Sequence, residues 1–304
     1  MAFSAAITRR PASRGDAVAV AALVAADEAV LLGRPSRLGE IDVLDWWSRA
    51  DLERDSWLFE EHGNVVATGW FERRDDLGLY VGVVAQGSKD RGLGAALADL
   101  GESCARDAAG VARLQTWTLA ADRAALELFT GRGYREVRRF YDMSIELKGP
   151  QADPAPPDGF TIEVFRTEDA RAFHDALDEA FEDHWEHHPI PFDEWWREKQ
   201  ASPGFDPSLW FLVRDGEEVV ATIRNDAERN GGGYVGALGV RRPWRGRGLG
   251  RALQLHTFAE VRRRGIDRLT LGVDAESPTG ATGLYESVGM KVELEAIVFE
   301  KEPR

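Results

Sequence analysis

An internal duplication constrains the fold of this chain more than any other feature. The segment KDRGLGAALADL at 89–100 aligns with RGRGLGRALQLH at 245–256, at an offset of 156 residues. Three further matches keep the same order: Leu128-Phe129 with Leu284-Tyr285, NVVATGWF at 64–71 with EVVATIRN at 218–225, and DWWSRADLERDSWLF at 45–59 with EWWREKQASPGFDPSLWF at 194–211. Ordered matches with small drifts in offset indicate a duplicated domain.

The stretch between the copies has the composition of a linker. Residues 148–159 read KGPQADPAPPDG, with four prolines and no apolar periodicity, which is typical of a semi-rigid, extended segment. A chain of 304 residues is also long enough for two domains that each bury a core. We therefore predict an N-terminal domain at 1–148, a linker at 149–159 and a C-terminal domain at 160–304.

Each copy shows the same order of predicted elements. Helices come first, followed by a strand pair, a third strand, a glycine-rich turn, a long helix, a strand, a short helix and a closing strand. In the second copy the strand pair flanks the turn RDGE, and RLTLGVD at 268–274 is the strand after the long helix. This order predicts an α/β (α+β) fold, in which a mixed, mostly antiparallel twisted sheet carries helices on both faces.

Composition limits the partners that we expect. Acidic side chains outnumber basic ones by 52 to 38, which gives a formal net charge of −14 and disfavours nucleic acid. No apolar run approaches the roughly 18 residues that cross a membrane. No secretory signal is visible, and Cys104 is the only cysteine, so we expect a cytoplasmic protein with no membrane contact. The negative charge suits an amine-bearing small substrate. A tandem chain already supplies an internal pseudo-dimer, which favours a monomer.

The stretch VRRPWRGRGLGRALQ at 240–254 is locally basic, in contrast to the negative net charge of the chain. It holds five arginines and three glycines and leads into an amphipathic helix. The first N–H groups of a helix lack intrahelical partners, and the dipole adds positive charge there, so this place attracts an anion such as phosphate. Arg245, Arg247 and Arg251 strengthen that attraction. A glycine-rich turn with a solvated basic face is the alternative.

Two familiar phosphate-binding motifs do not fit this loop. A P-loop requires Lys followed by Ser or Thr after the glycines, and no such pair is present. A dinucleotide-binding fold places its glycines after the first strand, whereas three predicted strands precede these glycines.

The motif RGRGLG at 245–250 instead resembles the acetyl-CoA signature [Q/R]-x-x-G-x-[G/A] of the GCN5-related N-acetyltransferases, the GNAT family. GLYESVGM at 283–290 is similar to a later helix of that family, and the two-copy arrangement resembles acetyltransferases of the mycothiol synthase type. The resemblance implies an acetyl-CoA-dependent N-acetyltransferase that acts on a primary amine of a small molecule or peptide. The cofactor-binding residues that it implies are Leu238, Gly239, Val240, Arg245, Gly246, Arg247, Gly248, Leu249, Gly250 and Arg251.

Tyr285 is the predicted general acid in the second copy. The departing thiolate requires a proton, and a phenol stays protonated at pH 7; a core tyrosine is the alternative reading. The resemblance assigns the oxyanion contact to backbone N–H groups of 238–240. In the first copy Phe129 replaces the tyrosine, while Lys89 and Asp90 disturb the loop. We therefore predict that the first copy is catalytically degenerate, although Gly92 and Gly94 could still bind CoA. An acyl-CoA sensor or scaffold without turnover is the alternative function.

The resemblance places EDHWEHHPIPFDEWW, residues 182–196, over the acceptor pocket. The acceptor-contact candidates are Glu182, Asp183, His184 and Trp185, with Asp226 and Glu228 as possible bases. The histidines of this stretch do not form the His-Glu-x-x-His motif of zinc enzymes, because Trp185 follows His184, and we expect no metal.

The strand RLTLGVD bears on the identity of the acceptor. In mycothiol synthases a tyrosine on this strand is expected to touch the acceptor, but Leu271, Gly272 and Val273 stand here. We therefore expect an aminoglycoside, a peptide N-terminus, a polyamine or another small amine instead of the mycothiol precursor.

Overall fold

The computed structural model describes residues 7–152, 155–202 and 205–303. The first half of the chain forms β1 (Ile7–Arg10), α1 (Ala17–Leu32), α2 (Glu40–Trp46), α3 (Leu52–Asp55), β2 (Ser56–Glu61), β3 (Asn64–Arg74), β4 (Leu77–Val84), α4 (Leu93–Asp107), β5 (Arg113–Leu119), α5 (Arg123–Gly131) and β6 (Arg135–Glu146). The second half repeats this order, except that its described residues form two α-helices and not three between the first two strands. Its elements are β7 (Phe160–Val164), α6 (Ala170–Phe181), α7 (Phe192–Ala201), β8 (Phe211–Asp215), β9 (Glu218–Arg229), β10 (Gly232–Val240), α8 (Leu249–Arg263), β11 (Arg268–Asp274), α9 (Ala281–Ser287) and β12 (Lys291–Lys301).

The described chain divides into two compact units, one of which is built from two separate segments of the sequence. One unit contains the residues up to Arg139 together with those from Leu294 onward, and the other contains Phe140–Glu293. In the first unit the strands lie in the order β1-β2-β3-β4-β5-β12, and in the second unit in the order β6-β11-β10-β9-β8-β7. The last strand of each copy therefore completes the sheet of the other copy's unit.

This exchange has a physical basis in strand pairing. β11 pairs with β6 in antiparallel register, with Gly272 opposite Asp142, and β5 pairs with β12, with Thr116 opposite Phe299. Because β6 and β12 are equivalent strands of the two copies, either one satisfies the backbone groups of the strand beside it. The boundary near residue 150 stays a prediction from the sequence repeat, whereas the compact units are bounded within β6 and β12. Residues 153 and 154 of the predicted linker lie outside the described residues.

The mixed α/β architecture predicted from the sequence is confirmed. Among the described strand pairs, β4–β5 and β10–β11 are parallel, and the other pairs within each unit are antiparallel. In the second unit α8 and α9 pack on one face of the sheet, where Leu253 and Tyr285 join the core. On the other face α6 and α7 bring Phe173 and Trp195 against strand residues such as Leu212.

The two parallel strands of the second unit separate soon after they begin. β10 and β11 pair only at Gly233 with Leu269 and at Tyr234 with Thr270, although β10 continues to Val240. Beyond Tyr234 one edge of β10 is therefore unpaired, and a cleft opens between the strands. β4 and β5 of the first unit separate in the same way after three paired residues.

Candidate active site

The glycine-rich loop of the second copy ends at the N-terminus of α8. Gly246 has φ +76°, and Gly248, the residue that caps α8, has φ +82° and ψ +3°. This left-handed conformation is one that glycine adopts without steric cost. It turns the chain so that the first backbone N–H groups of a 15-residue helix face outward, which is the arrangement that binds phosphate in many proteins.

The arginines of this loop divide into two groups. Arg245 donates to Asp183 at 3.0 Å, to the Ala180 carbonyl at 3.0 Å and to the Val240 carbonyl at 3.1 Å, so it fixes the loop to α6 and β10. Among the described residues, Arg247 donates to the Pro243 carbonyl alone, at 3.2 Å. Arg251 is exposed and forms no ion pair with a described residue. Arg247 and Arg251 therefore keep their charge available to an anion.

Asp183 lies against the loop arginines. Its carboxylate accepts from Arg242 at 2.7 Å and from Arg245 at 3.0 Å. These hydrogen bonds lower the pKa of Asp183 to about 2. The structure thus gives this acceptor candidate a structural role beside the loop, and Glu182 joins it as a second partner of Arg242 at 3.0 Å.

The open edge of β10 carries unused backbone groups. The Arg241 N–H donates to the Val220 carbonyl of β9 at 3.0 Å. Because backbone groups alternate along a strand, the N–H groups of Leu238 and Val240 point to the open edge, whereas that of Gly239 points to β9. The missing side chain of Gly239 has another effect: a Cβ there would lie 2.8 Å from Ala180 Cβ, so glycine permits α6 to approach the sheet.

Close packing of α8 against α9 positions Tyr285. A Cβ at Gly250 would lie 3.1 Å from Leu284 Cδ2, so the glycine allows α9 to approach the start of α8. Tyr285 follows on α9 and is 7% exposed. Burial raises its pKa well above the usual value, and the nearby Tyr234 adds to the increase. The phenol therefore keeps its proton at any physiological pH.

Two polar residues that the sequence did not single out lie where the strands separate. Tyr234 is the last residue of β10 that pairs with β11, and its hydroxyl lies beside Gly272 of β11. A Cβ at Gly272 would lie 3.4 Å from Asp142 Oδ1 and 3.5 Å from Tyr234 Oη. β11 lacks the expected tyrosine, but the Tyr234 hydroxyl from β10 lies beside Gly272 of β11, together with the Asp142 carboxylate from β6.

The remaining acceptor candidates lie at different distances from the point where β10 and β11 separate. Asp226 is buried, lies opposite Tyr234 in register and accepts from Arg224 at 3.2 Å, whereas Glu228 is exposed. His184 lies in the turn after α6 with Nδ1 2.9 Å from the Trp185 carbonyl. The Trp185 ring lies 6.0 Å from that of Phe140. The structure therefore brings Asp226 to the point of strand separation and leaves His184 in a local turn.

The first copy keeps the backbone of the loop but not its chemistry. Asp90 adopts φ +63° at the position that aligns with Gly246, and Gly92 caps α4 with φ +82° and ψ +1°. Phe129 is buried against Tyr80, with ring centroids 6.2 Å apart. The Lys89 ammonium is 2.9 Å from Asp122 and 3.0 Å from Asp27.

The described residues contain neither a candidate metal site nor a candidate membrane span. No group of three or more of their histidine, cysteine and acidic side chains could hold a metal ion. None of the described helices combines the length and the hydropathy required to span a bilayer.

Comparison with known proteins decides the family. The model of the Acetyltransferase (GNAT) family matches residues 26–134 and again 170–290. The chain belongs to the GNAT family. It is an N-acetyltransferase with two GNAT regions, and the open edge of β10 and the loop before α8 lie within the second region.

Relatives along most of the chain agree with this assignment. A mycothiol acetyltransferase of Thermobispora bispora is 34% identical over 218 residues, which are 68% of this chain and 70% of that protein. One from Geodermatophilus obscurus is 33% identical over 218 residues, 68% of each chain. A GCN5-related N-acetyltransferase from Sphaerobacter thermophilus superposes with a TM-score of 0.86 at 33% identity, over 100% of this chain and 98% of that one. A tandem GNAT protein from the clavulanic acid biosynthesis pathway, 15% identical, shares the fold with a TM-score of 0.74 over 98% and 99% of the two chains.

Proposed function

We propose that the second copy transfers the acetyl group of acetyl-CoA to a primary amine of a small molecule or peptide. The observation that carries this proposal is the meeting of three features in the unit Phe140–Glu293: an unpaired edge of β10, a phosphate-binding helix start at Gly248, and the buried phenol of Tyr285. The first copy has the same strand separation but carries Phe129 in place of the phenol. We therefore assign catalysis to the second copy.

The loop and the strand edge fit the two ends of CoA. The N–H groups at the start of α8, with Arg247 and Arg251, would hold the phosphates. The N–H groups of Leu238 and Val240 face the cleft, where an extended pantetheine arm can pair with them as an added strand does. The same N–H groups can stabilise negative charge on the thioester oxygen during acyl transfer.

Proton transfer requires an acid and a base in this cleft. An amine with a pKa of about 10.4 is neutral in only about one of 2,500 molecules at pH 7, so its proton must first be removed. We assign this task to Asp226, directly or through water, because it is buried at the point where the strands separate. Attack of the neutral amine on the carbonyl breaks the carbon–sulfur bond, and Tyr285 gives its proton to the sulfur. The Tyr285 phenolate then regains a proton from the acetylated ammonium or from solvent.

Asp142 supplies the contact that we propose for the acceptor. Its carboxylate lies beside Gly272 and close enough to Tyr234 to raise the pKa of that phenol, although burial is the larger cause. A carboxylate and a hydroxyl in one place can orient a protonated amine before it loses its proton. Glu182, His184 and Trp185 stay candidates for the outer part of the pocket.

The relatives' name, mycothiol acetyltransferase, adds the amine precursor of mycothiol to the acceptors worth testing. The hydroxyl of Tyr234 beside Gly272 weakens the sequence argument against that precursor, because a tyrosine hydroxyl is present there after all. We propose the wider class, small amines and peptide N-termini, as the acceptor.

An amine panel tests this proposal. The purified protein is mixed with acetyl-CoA and an aminoglycoside, a polyamine, a peptide with a free N-terminus or the mycothiol precursor, and free thiol is followed over time. We expect thiol release that depends on one class of amine, together with the acetylated amine by mass spectrometry. Release of thiol at the same rate with and without every amine would contradict the proposal.

A further inference from the structure

A cavity of about 280 Å³ lies within the first copy. It occupies the space between β4 and β5 beyond their paired residues, which is equivalent to the proposed CoA cleft of the second copy. Its walls are mainly apolar and include Val81, Trp117, Leu128 and Phe129. The first copy therefore keeps a cleft at the same place as the second copy, but different side chains line it.

The charged groups in this cavity are mostly acidic. Asp27, Glu28, Asp90 and Asp122 line it together with a single cation, Lys89. The Lys89 ammonium lies between Asp27 at 3.0 Å and Asp122 at 2.9 Å, and Gln86 donates a further hydrogen bond to Asp27 at 2.8 Å. Burial raises the pKa of Asp27, and the adjacent Lys89 opposes this increase. Burial also raises the pKa of Glu28, where the hydrogen bond from Ser36 and the charge of Arg34 oppose it.

The same groups make the cavity unsuitable for CoA. In the second copy Arg247 and Arg251 are available to phosphate. In residues 86–95 of the first copy, all of which the structure describes, the cations are Lys89 and Arg91, and both are engaged. Arg91 forms a two-point ion pair with Glu61 at 2.6 and 2.8 Å. A pyrophosphate at the start of α4 would therefore meet Asp90 and Asp122 without an available cation, which is electrostatically unfavourable.

We propose that the cleft of the first copy binds a small organic cation with an apolar body, and not CoA. The ammonium of such a ligand takes the place of the Lys89 ammonium between Asp27 and Asp122. Its apolar body lies against Val81 and Leu128, and the Trp117 ring offers a surface that attracts cations. Lys89 then acts as an internal occupant that a ligand must displace. The proposal concerns a site outside the second copy and does not depend on its chemistry.

Calorimetric titration of the full chain with 2-phenylethylamine tests this site, and 2-phenylethanol serves as the neutral control. We expect the amine to bind and the alcohol to bind at least tenfold more weakly. Asp27→Asn and Asp122→Asn should each weaken the amine at least tenfold, because each removes one carboxylate while keeping the shape of the side chain. Lys89→Met should tighten the amine at least threefold, because the competing ammonium is gone.

Two matched variants separate this cleft from the second copy. Asp142→Asn alters the proposed acceptor site and should leave the affinity for 2-phenylethylamine unchanged, whereas binding that disappears in Asp142→Asn and persists in Asp27→Asn would overturn the proposal. Absence of amine binding would also overturn it, and so would a second CoA per chain that is lost on Gly92→Glu. Titration of each variant with CoA at the second copy confirms that the chain is folded.

Discussion

Replacing Tyr285 by phenylalanine separates its chemical role from its packing role. The substitution removes one oxygen from a side chain that is 7% exposed. Burial and the proximity of Tyr234 are the causes of the raised pKa of this phenol, and the hydroxyl has no hydrogen-bond partner among the described residues. Its removal leaves no described hydrogen-bond partner unsatisfied. We therefore expect the free energy of unfolding to change by less than about 1 kcal/mol.

The rate should respond far more strongly than the stability. General acids contribute about 10²- to 10⁴-fold, which corresponds to about 2.7 to 5.5 kcal/mol of transition-state stabilisation. We expect kcat for Tyr285→Phe to fall by that factor, with the KM for acetyl-CoA within about twofold, because the lost interaction exists only in the transition state. The raised pKa also predicts that the wild type shows no alkaline decline from Tyr285 between pH 6 and 9.

The assay follows free thiol under single-turnover conditions, so that chemistry and not product release limits the observed rate. Phe129→Tyr in the first copy is the matched control, since it adds a hydroxyl at the equivalent position and should leave the rate unchanged. If Tyr285→Phe transferred acetyl groups at the wild-type rate across pH 6 to 9, Tyr285 would be a packing residue and the thiolate would leave without its help.

Three further predictions concern other parts of the molecule. Gly101→Ala places a Cβ 2.5 Å from Tyr80 Cγ. The destabilisation from this overpacking, about 1–3 kcal/mol, should exceed the gain in helix propensity of up to about 1 kcal/mol, so Tm should fall in a thermal melt. The ion pairs of Asp183 lower its pKa to about 2, so its carboxylate stabilises the folded state at pH values above the ordinary carboxyl pKa. The Tm difference between wild type and Asp183→Asn should therefore be constant from pH 5 to 8 and vanish as the pH falls from about 4 to 2. Asp142→Asn should raise the acceptor KM by about tenfold or more with the KM for acetyl-CoA unchanged, and an unchanged acceptor KM would remove Asp142 from the site.

Local patterns in the sequence predicted the elements of the second copy well. The strand RLTLGVD is β11 with the same bounds, and the short helix around Tyr285 is α9. The helical periodicity of residues 166–185 predicts a longer helix than α6, which ends at Phe181. The chain turns there, and the His184 N–H donates to the Phe181 carbonyl at 2.7 Å. Polar residues after position 181 satisfy their backbone groups in turns, which helical periodicity alone does not reveal.

Long-range pairing could not be predicted in the same way. β6 and β12 have equivalent positions in the two copies, so sequence similarity does not indicate which strand completes which sheet. Asp142 was missed for this reason, since it reaches the second unit only through the pairing of β6 with β11. Tyr234 could have been identified as a candidate site residue from the sequence, because it is the tyrosine of the strand that precedes the glycine loop. Lys89 of the loop before α4 pairs with Asp27 of α1 and with Asp122 at the start of α5. No spacing in the sequence indicates these ion pairs.

Titration of the chain with CoA tests most directly whether the second copy holds the cofactor site. Gly248 and Gly92 have the same φ and nearly the same ψ, so Gly248→Glu and Gly92→Glu carry the same backbone penalty of about 1–2 kcal/mol and place one negative charge at equivalent loops. We predict one CoA per wild-type chain, loss of both CoA binding and acetyl transfer in Gly248→Glu, and retention of both in Gly92→Glu. A tight CoA site and full turnover in Gly248→Glu, with loss of both in Gly92→Glu, would place the active site in the first copy and contradict the account.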